Sequence, residues 1–106
     1  MEARTVIAEA NPGQLDQLAD FWDHERTTEI RSLDGNRGFL VLADPATNRV
    51  IAVSLWDTTE EADAAYELFE THASVIRSFM SHEPQREGFD VKVADLHEAS
   101  IHPSPS

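Results

Sequence analysis

"RGFLVLADPATNRVIAVSLWDTTEEAD", residues Arg37–Asp63, is the stretch that decides the fold. Two apolar runs, "GFLVLA" from Gly38 and "RVIAVSLW" ending at Trp56, flank "DPATN". Asp-Pro and Asn are the chemistry of a tight loop, so the runs are predicted to be paired strands of a hairpin. Directly after Trp56 stand two overlapping cap-x-x-Glu patterns, Asp57 with Glu60 and Thr58 with Glu61. Each predicts a helix N-terminus. Strands with one wet face alternate apolar and polar residues, whereas these runs barely alternate, the pattern of strands covered on both faces.

Outward from the hairpin the elements follow in order. Upstream, "RTVIAEA" (Arg4–Ala10) is a predicted strand with Val6, Ala8 and Ala10 on one face. Pro12 suits a first helical turn, Asn11 offers a cap, and Leu15, Leu18 and Trp22 recur at helical spacing in a helix predicted to reach about Arg31. "LDGNRG" from Leu33 to Gly38 stops it. Downstream, Ala62, Ala65, Tyr66, Phe69, Ala73, Ile76 and Met80 form one apolar stripe of a second helix, which Pro84 and Gly88 close. "FDVKVADL" (Phe89–Leu96) alternates as a last strand. Residues 1–98 are expected to form a single domain and 99–106 a flexible polar tail.

This order, β-α-β-β-α-β, predicts an α+β, ferredoxin-like domain with a four-stranded antiparallel sheet and two helices on one face. Two helices cover only one side of the sheet. A homodimer packed sheet on sheet is the simplest cover for the other, because large exposed apolar patches are rare on monomers.

Composition narrows the function classes. The 106 residues carry a net charge of −12, a field that repels nucleic-acid phosphates and anionic membranes. There is no cysteine, which removes disulfides, thiolate metal sites and cysteine nucleophiles. No apolar run approaches the roughly 20 residues of a membrane span, and "MEARTVIAEA" lacks the layout of a secretory signal. A cytoplasmic location is the default expectation.

"LDGNRGFLVLADPATNRVIAVSLWDTTEEADAA" (Leu33–Ala65) resembles the central signature of the antibiotic-biosynthesis-monooxygenase-type proteins. These run from a small-Gly turn through an apolar hairpin ending in Trp to a capped second helix. The resemblance implies a dimeric α/β barrel with a ligand cavity between each sheet and its helices. It also implies oxidoreductase chemistry among the possibilities, as cofactor-independent monooxygenases of aromatic polyketides, heme-degrading oxygenases and proteins of no known activity all belong there. The heme degraders carry an Asn mid-way along the first strand, where this chain has Ile7, and a Trp where the second helix has Tyr66. His72 comes earlier than their heme ligand. The resemblance therefore disfavours heme degradation and leaves heme binding through His72 open.

At about 100° per residue, Glu25 and Glu29 fall on the stripe of Leu15, Leu18 and Trp22, with Arg26 at its edge. Two readings stand. Either the second half of the helix is solvated, with Glu29 pairing to Arg26 or Arg31, or a carboxylate beside a cavity acts as a general base. His72 borders the second stripe near Phe69 and Ile76, as a boundary residue or as a base or ligand. Trp22, Tyr66 and Phe69 project between helices and sheet, where they are either core or the walls of a flat ligand's site, with Arg26 beside them. Trp56 is assigned to packing or dimer contact. His24, His82, His97 and His102 lack metal-ligand spacing, so no metal is expected; no resident cofactor is expected either, apart from the heme that the resemblance leaves open. "DGNRG" precedes a strand and matches no phosphate loop, and Ser54 lacks a nucleophile's turn.

Overall fold

The structure, a computed structural model, describes residues 1–71 and 73–97, the side chains of residues 25–28, 71 and 73 excepted. The predicted 99–106 tail lies outside the described residues. The chain runs β1 (Glu2–Glu9), α1 (Leu15–Phe21), a π-helical turn (Trp22–Arg26), α2 (Thr27–Arg31), β2 (Asn36–Asp44), β3 (Arg49–Trp56), α3 (Thr59–Thr71), α4 (Ala73–Arg77) and β4 (Gln85–Asp90). The sheet order is β2-β3-β1-β4, with every neighbouring pair antiparallel. The ferredoxin-like α+β architecture is as predicted.

The hairpin signals act as expected. Asp44 accepts the Ala46 N–H at 3.0 Å and the Thr47 hydroxyl at 2.9 Å, closing the turn. Asn48 takes the left-handed conformation (φ 58°) and donates from Nδ2 to the Ala10 carbonyl at 2.7 Å, pinning the hairpin loop to the end of β1. Of the two caps before α3, Thr58 wins: its Oγ accepts the Glu61 N–H at 3.2 Å and donates to Glu61 Oε1 at 3.0 Å. Asp57 is held instead by Arg37, whose Nε and Nη2 reach its two oxygens at 2.7 and 2.8 Å. Gly35 (φ +79°) turns the chain into β2 beneath the Glu61 carboxylate, where a Cβ would come within 2.2 Å of that group.

Three expectations shift. Asn11 does not cap α1; its Nδ2 donates to Gln14 Oε1 and to the Ser78 carbonyl, both at 3.0 Å, joining the start of the first helix to the loop after α4. Pro12 and Gly13 (φ 77°) form a turn, and Gln14 precedes the helix without a side-chain cap. The last strand lies at Gln85–Asp90 instead of Phe89–Leu96. The bridge Ala10↔Met80 and the Ser81 N–H to Glu9 carbonyl bond (2.9 Å) bring the chain alongside β1 as soon as α4 ends. The ladder then resumes at Ile7↔Gln85 and ends at Glu2↔Asp90; beyond it, the Val91 N–H bonds the Met1 carbonyl at 3.0 Å, the alternation of Val91–Leu96 meets no partner strand among the described residues, and Val93 is 87% exposed.

The third shift is in the first helix. An α-helix repeats every 3.6 residues, but a π turn bonds i to i+5 and inserts one residue into the repeat. Seven residues past Trp22 would be Glu29; with the insertion the inward position passes to Ile30, which is buried at 3% exposure. Glu29 is half-buried beside it.

Packing on the helix face falls into two groups. Leu18, Trp22, Val50, Ala52, Ile76 and Met80 form one, with Ala8 and Ala10. Ile30, Trp56, Ala62 and Ala65 form the other, and Phe39 packs against both. Trp56 therefore faces the helices as core, not the outer side where a second copy would sit. On that outer side the register sets Leu42–Ile51–Ile7 in one row and Leu40–Val53–Thr5 in the next. Leu40 and Leu42 are 58% and 48% exposed. The helices of the described residues include none long and apolar enough to cross a membrane.

Candidate functional site

Between the two core groups lies a cavity of about 430 Å³, a size and position typical of small-molecule sites. Its floor is the inner face of the sheet, where the small side chains Ala52 and Ser54 leave room between Val6 and Phe39. Trp22 and Ile30 wall it from the first helical stretch, and Ala62, Ala65, Phe69 and Ile76 from α3 and α4. Trp56 lines it too, its indole Nε1 donating to Ser54 Oγ at 2.8 Å. The indole N–H is thereby satisfied, and the Ser54 hydroxyl is held at the floor with its own hydrogen directed toward the Arg4 carbonyl at 3.5 Å.

The rim is charged. Arg4 comes from β1, at the same strand parity as Val6 and Ala8, and bridges Glu2 (Nε–Oε2, 3.0 Å) and Asp63 of α3 (Nη2–Oδ1, 2.8 Å). Arg86 comes from β4, paired with Val6, so that it also faces the helices. Its Nη1 donates to the Tyr66 hydroxyl at 2.9 Å, its Cζ lies 4.5 Å from that ring's centroid, and its Nη2 pairs with Glu70. Arg77 of α4 reaches the same Glu70 carboxylate (Nη2–Oε2, 3.1 Å) and, through Nε, Glu83 at 3.1 Å. One carboxylate thus holds two guanidiniums and ties α3 to α4 and to the edge strand.

Glu70 carries the electrostatic consequence. Hydrogen bonds from Arg77 hold its carboxyl below the usual carboxylate range against the opposing effect of burial, with the charge of Arg86 and the Tyr66 hydroxyl adding to the depression. A carboxyl whose folded-state value lies below its unfolded one stabilises the fold fully above the unfolded value, about 4.3, and loses that contribution as pH falls through the folded value. Glu70→Gln is therefore expected to melt below the parent at pH 7, the gap shrinking as the pH drops below about 4. Thermal melts from pH 7 to pH 2 check this; a gap that stays constant across the series contradicts it.

Of the residues singled out by sequence, Trp22, Tyr66 and Phe69 come together on the cavity. Trp22 is 6% exposed and forms wall and core at once, while Tyr66, at 40%, stands at the rim. Glu25 and Arg26 lie in the π turn, with their side chains outside the description, and His72 lies outside the described residues. Glu29 is not among the cavity's lining residues. Sequence reasoning passed over Arg4, Arg77 and Arg86. Arg4 carried a signal, a charge at the apolar parity of a strand; Arg86 did not, because the last strand was expected to begin after it. Among the described residues no three acidic or histidine side chains converge as metal ligands would.

No family model matches the sequence, and no curated protein does. Solved structures do match. A Chloroflexus aurantiacus J-10-fl protein described as an antibiotic biosynthesis monooxygenase shares 19% identity over 91% of this chain and 96% of its own, with a TM-score of 0.69. A monooxygenase from the gene ActVA-Orf6 of Streptomyces coelicolor, solved with the ligand nanaomycin D, shares 14% identity over 92% of each chain, with a TM-score of 0.72. NE2512, a Nitrosomonas europaea protein of unknown function, matches at 19% identity over 92% of this chain and 95% of its own, with a TM-score of 0.74. Descriptions as antibiotic biosynthesis monooxygenases recur among the matching structures. The chain has the fold of the antibiotic-biosynthesis-monooxygenase-type proteins.

Proposed function

We propose that this chain is a homodimeric monooxygenase that takes a flat aromatic or polyketide-like substrate between sheet and helices and needs no bound cofactor. The observation that carries the reading is the cavity of about 430 Å³ walled by Trp22, Phe69 and Trp56, since a planar apolar compound stacks on such walls. The S. coelicolor monooxygenase, which shares the fold, was solved with nanaomycin D bound. In the proposed reaction the substrate gives up a proton and its carbanion passes electrons to O₂; one oxygen atom enters the product and the other leaves as water. Glu25, Glu29 and His72 are the proposed proton acceptors, and Trp22, Arg26, Tyr66 and Phe69 the proposed ligand contacts. The outer rows of Leu40, Leu42, Ile51 and Val53 are the proposed contact with the second subunit.

A second reading, a dimeric binder of hydrophobic ligands without catalysis, is favoured by one feature. The ionisable groups described on the cavity, Arg4, Asp63, Tyr66, Arg77, Arg86 and Glu87, belong to its rim and edge strand, and its interior is apolar. Oxygen uptake over a panel of anthrones and naphthols separates the two. The enzyme reading predicts uptake above the spontaneous rate with at least one compound, reduced about 100-fold in a Glu25→Gln, Glu29→Gln, His72→Ala triple variant, the scale of a lost general base. Binding without uptake selects the binder, and uptake unchanged in the triple variant rejects the three bases.

A further inference from the structure

The rim holds three of the eight basic residues of a chain whose net charge is −12. Arginine at the mouth of an apolar cavity is there to be explained, because the surrounding field gives an anion no reason to approach. Resting on the reading that the cavity binds a flat apolar molecule, we infer that this molecule carries a carboxylate, received at the rim by Arg77 and Arg86.

Donor arithmetic supports this. A guanidinium has five N–H donors in a planar fork. Arg77 spends Nε on Glu83 and Nη2 on Glu70, and Arg86 spends Nη1 on Tyr66 and Nη2 on Glu70. Among the described residues no acceptor takes Nη1 of Arg77 or Nε of Arg86. Both side chains line the cavity, and both are held in place by Glu70, so little ordering is left for a ligand to impose.

Charge fixes the class of anion. Arg77 and Arg86 against Glu70 leave one net positive charge. Glu83, the fourth member, is 72% exposed, against 36% and 32% for the two arginines; Arg4 is matched by Glu2, 17% exposed, and by Asp63, 60% exposed, and adds nothing to this surplus. Water screens an acid as exposed as Glu83 far more than it screens groups turned into the mouth. Glu87 borders the cavity on the edge strand, but it pairs with Thr5 and by strand alternation its side chain belongs to the opposite face of the sheet. A surplus of one charge suits a carboxylate monoanion, and the planar fork matches it in two parallel hydrogen bonds. A phosphate dianion would leave one charge uncompensated beside Glu70.

The test compares two isosteres by isothermal titration of the full chain: 2-naphthoate and the neutral 2-naphthamide. The expected result is at least tenfold tighter binding of the naphthoate, with that preference shrinking in 0.5 M NaCl. In Arg77→Gln, Arg86→Gln the two affinities are expected to converge while the amide binds as before. Should that variant fail to fold by circular dichroism, Arg77→Lys, Arg86→Lys keeps the charge but not the fork, and is expected to lose most of the preference. Equal affinities in the parent, or a preference that survives in the folded variant, overturn the carboxylate and leave the apolar cavity reading standing. Failure of both compounds to bind overturns the two readings together.

Discussion

Replacing Leu40 and Leu42 with aspartate is expected to turn the proposed dimer into a monomer, seen as a halved mass by light scattering at micromolar concentration. Both residues sit on β2 facing away from the helices and are 58% and 48% exposed in the single chain, so the changes leave the core intact. Alternate residues of paired strands share a face, and the register sets Leu40 beside Val53 and Leu42 beside Ile51. An apolar sheet face of that breadth is covered in stable proteins. In the proposed interface each aspartate would be buried without a partner, at about 3 kcal/mol or more apiece, which weakens association at least ~100-fold for each change. Circular dichroism of the variant is expected to match the parent. A parent that is already monomeric, or a variant that stays dimeric, contradicts the covered-face account.

Trp56→Ala is the substitution expected to cost most in stability. Trp56 is 1% exposed at the end of β3 and packs against Ile30, Ala62 and Ala65. It fixes the corner at which the hairpin hands over to α3. Removing a buried indole costs about 3–5 kcal/mol, a large part of the 5–15 kcal/mol typical of a domain. The Ser54 hydroxyl also loses its donor. Urea unfolding should show a midpoint far below the parent's, whereas Trp56→Phe, which keeps most of the buried area, should lose about 1 kcal/mol with the hydrogen bond. An unchanged midpoint in Trp56→Ala would show that the corner is held by something else.

The fold was legible in the sequence because its decisive signals are local. Asp44 in the loop, and Thr58 with Glu61 before α3, act through bonds within a few residues of themselves. The near-absence of alternation in both hairpin strands is the pattern of strands covered on both faces. The errors have a common cause in contacts between distant parts of the chain. Asn11 is a good cap by type, yet Ser78, far along the chain, competes for its side chain. The last strand was misplaced because alternation in Phe89–Leu96 is local, while its register is set by Met80 meeting Ala10.

The site was only partly legible for a sharper reason. A constant 100° per residue carries the inward stripe from Trp22 to Glu29, and the π turn moves it to Ile30. No residue type in "WDHER" announces that turn. The aromatic walls were readable because large apolar residues must face inward. The rim arginines were not, because their meaning comes from three elements meeting around Glu70.

The space between β3 and α3 is the proposed ligand site. A crystal structure grown with whichever panel compound sustains oxygen uptake, or binds most tightly, tests it most directly. Density is expected for that compound stacked among Trp22, Phe69 and Trp56, with its polar edge toward Arg86. Density confined to the outer face of the sheet, or a cavity closed by collapse of α3 onto Ala52 and Ser54, would contradict it.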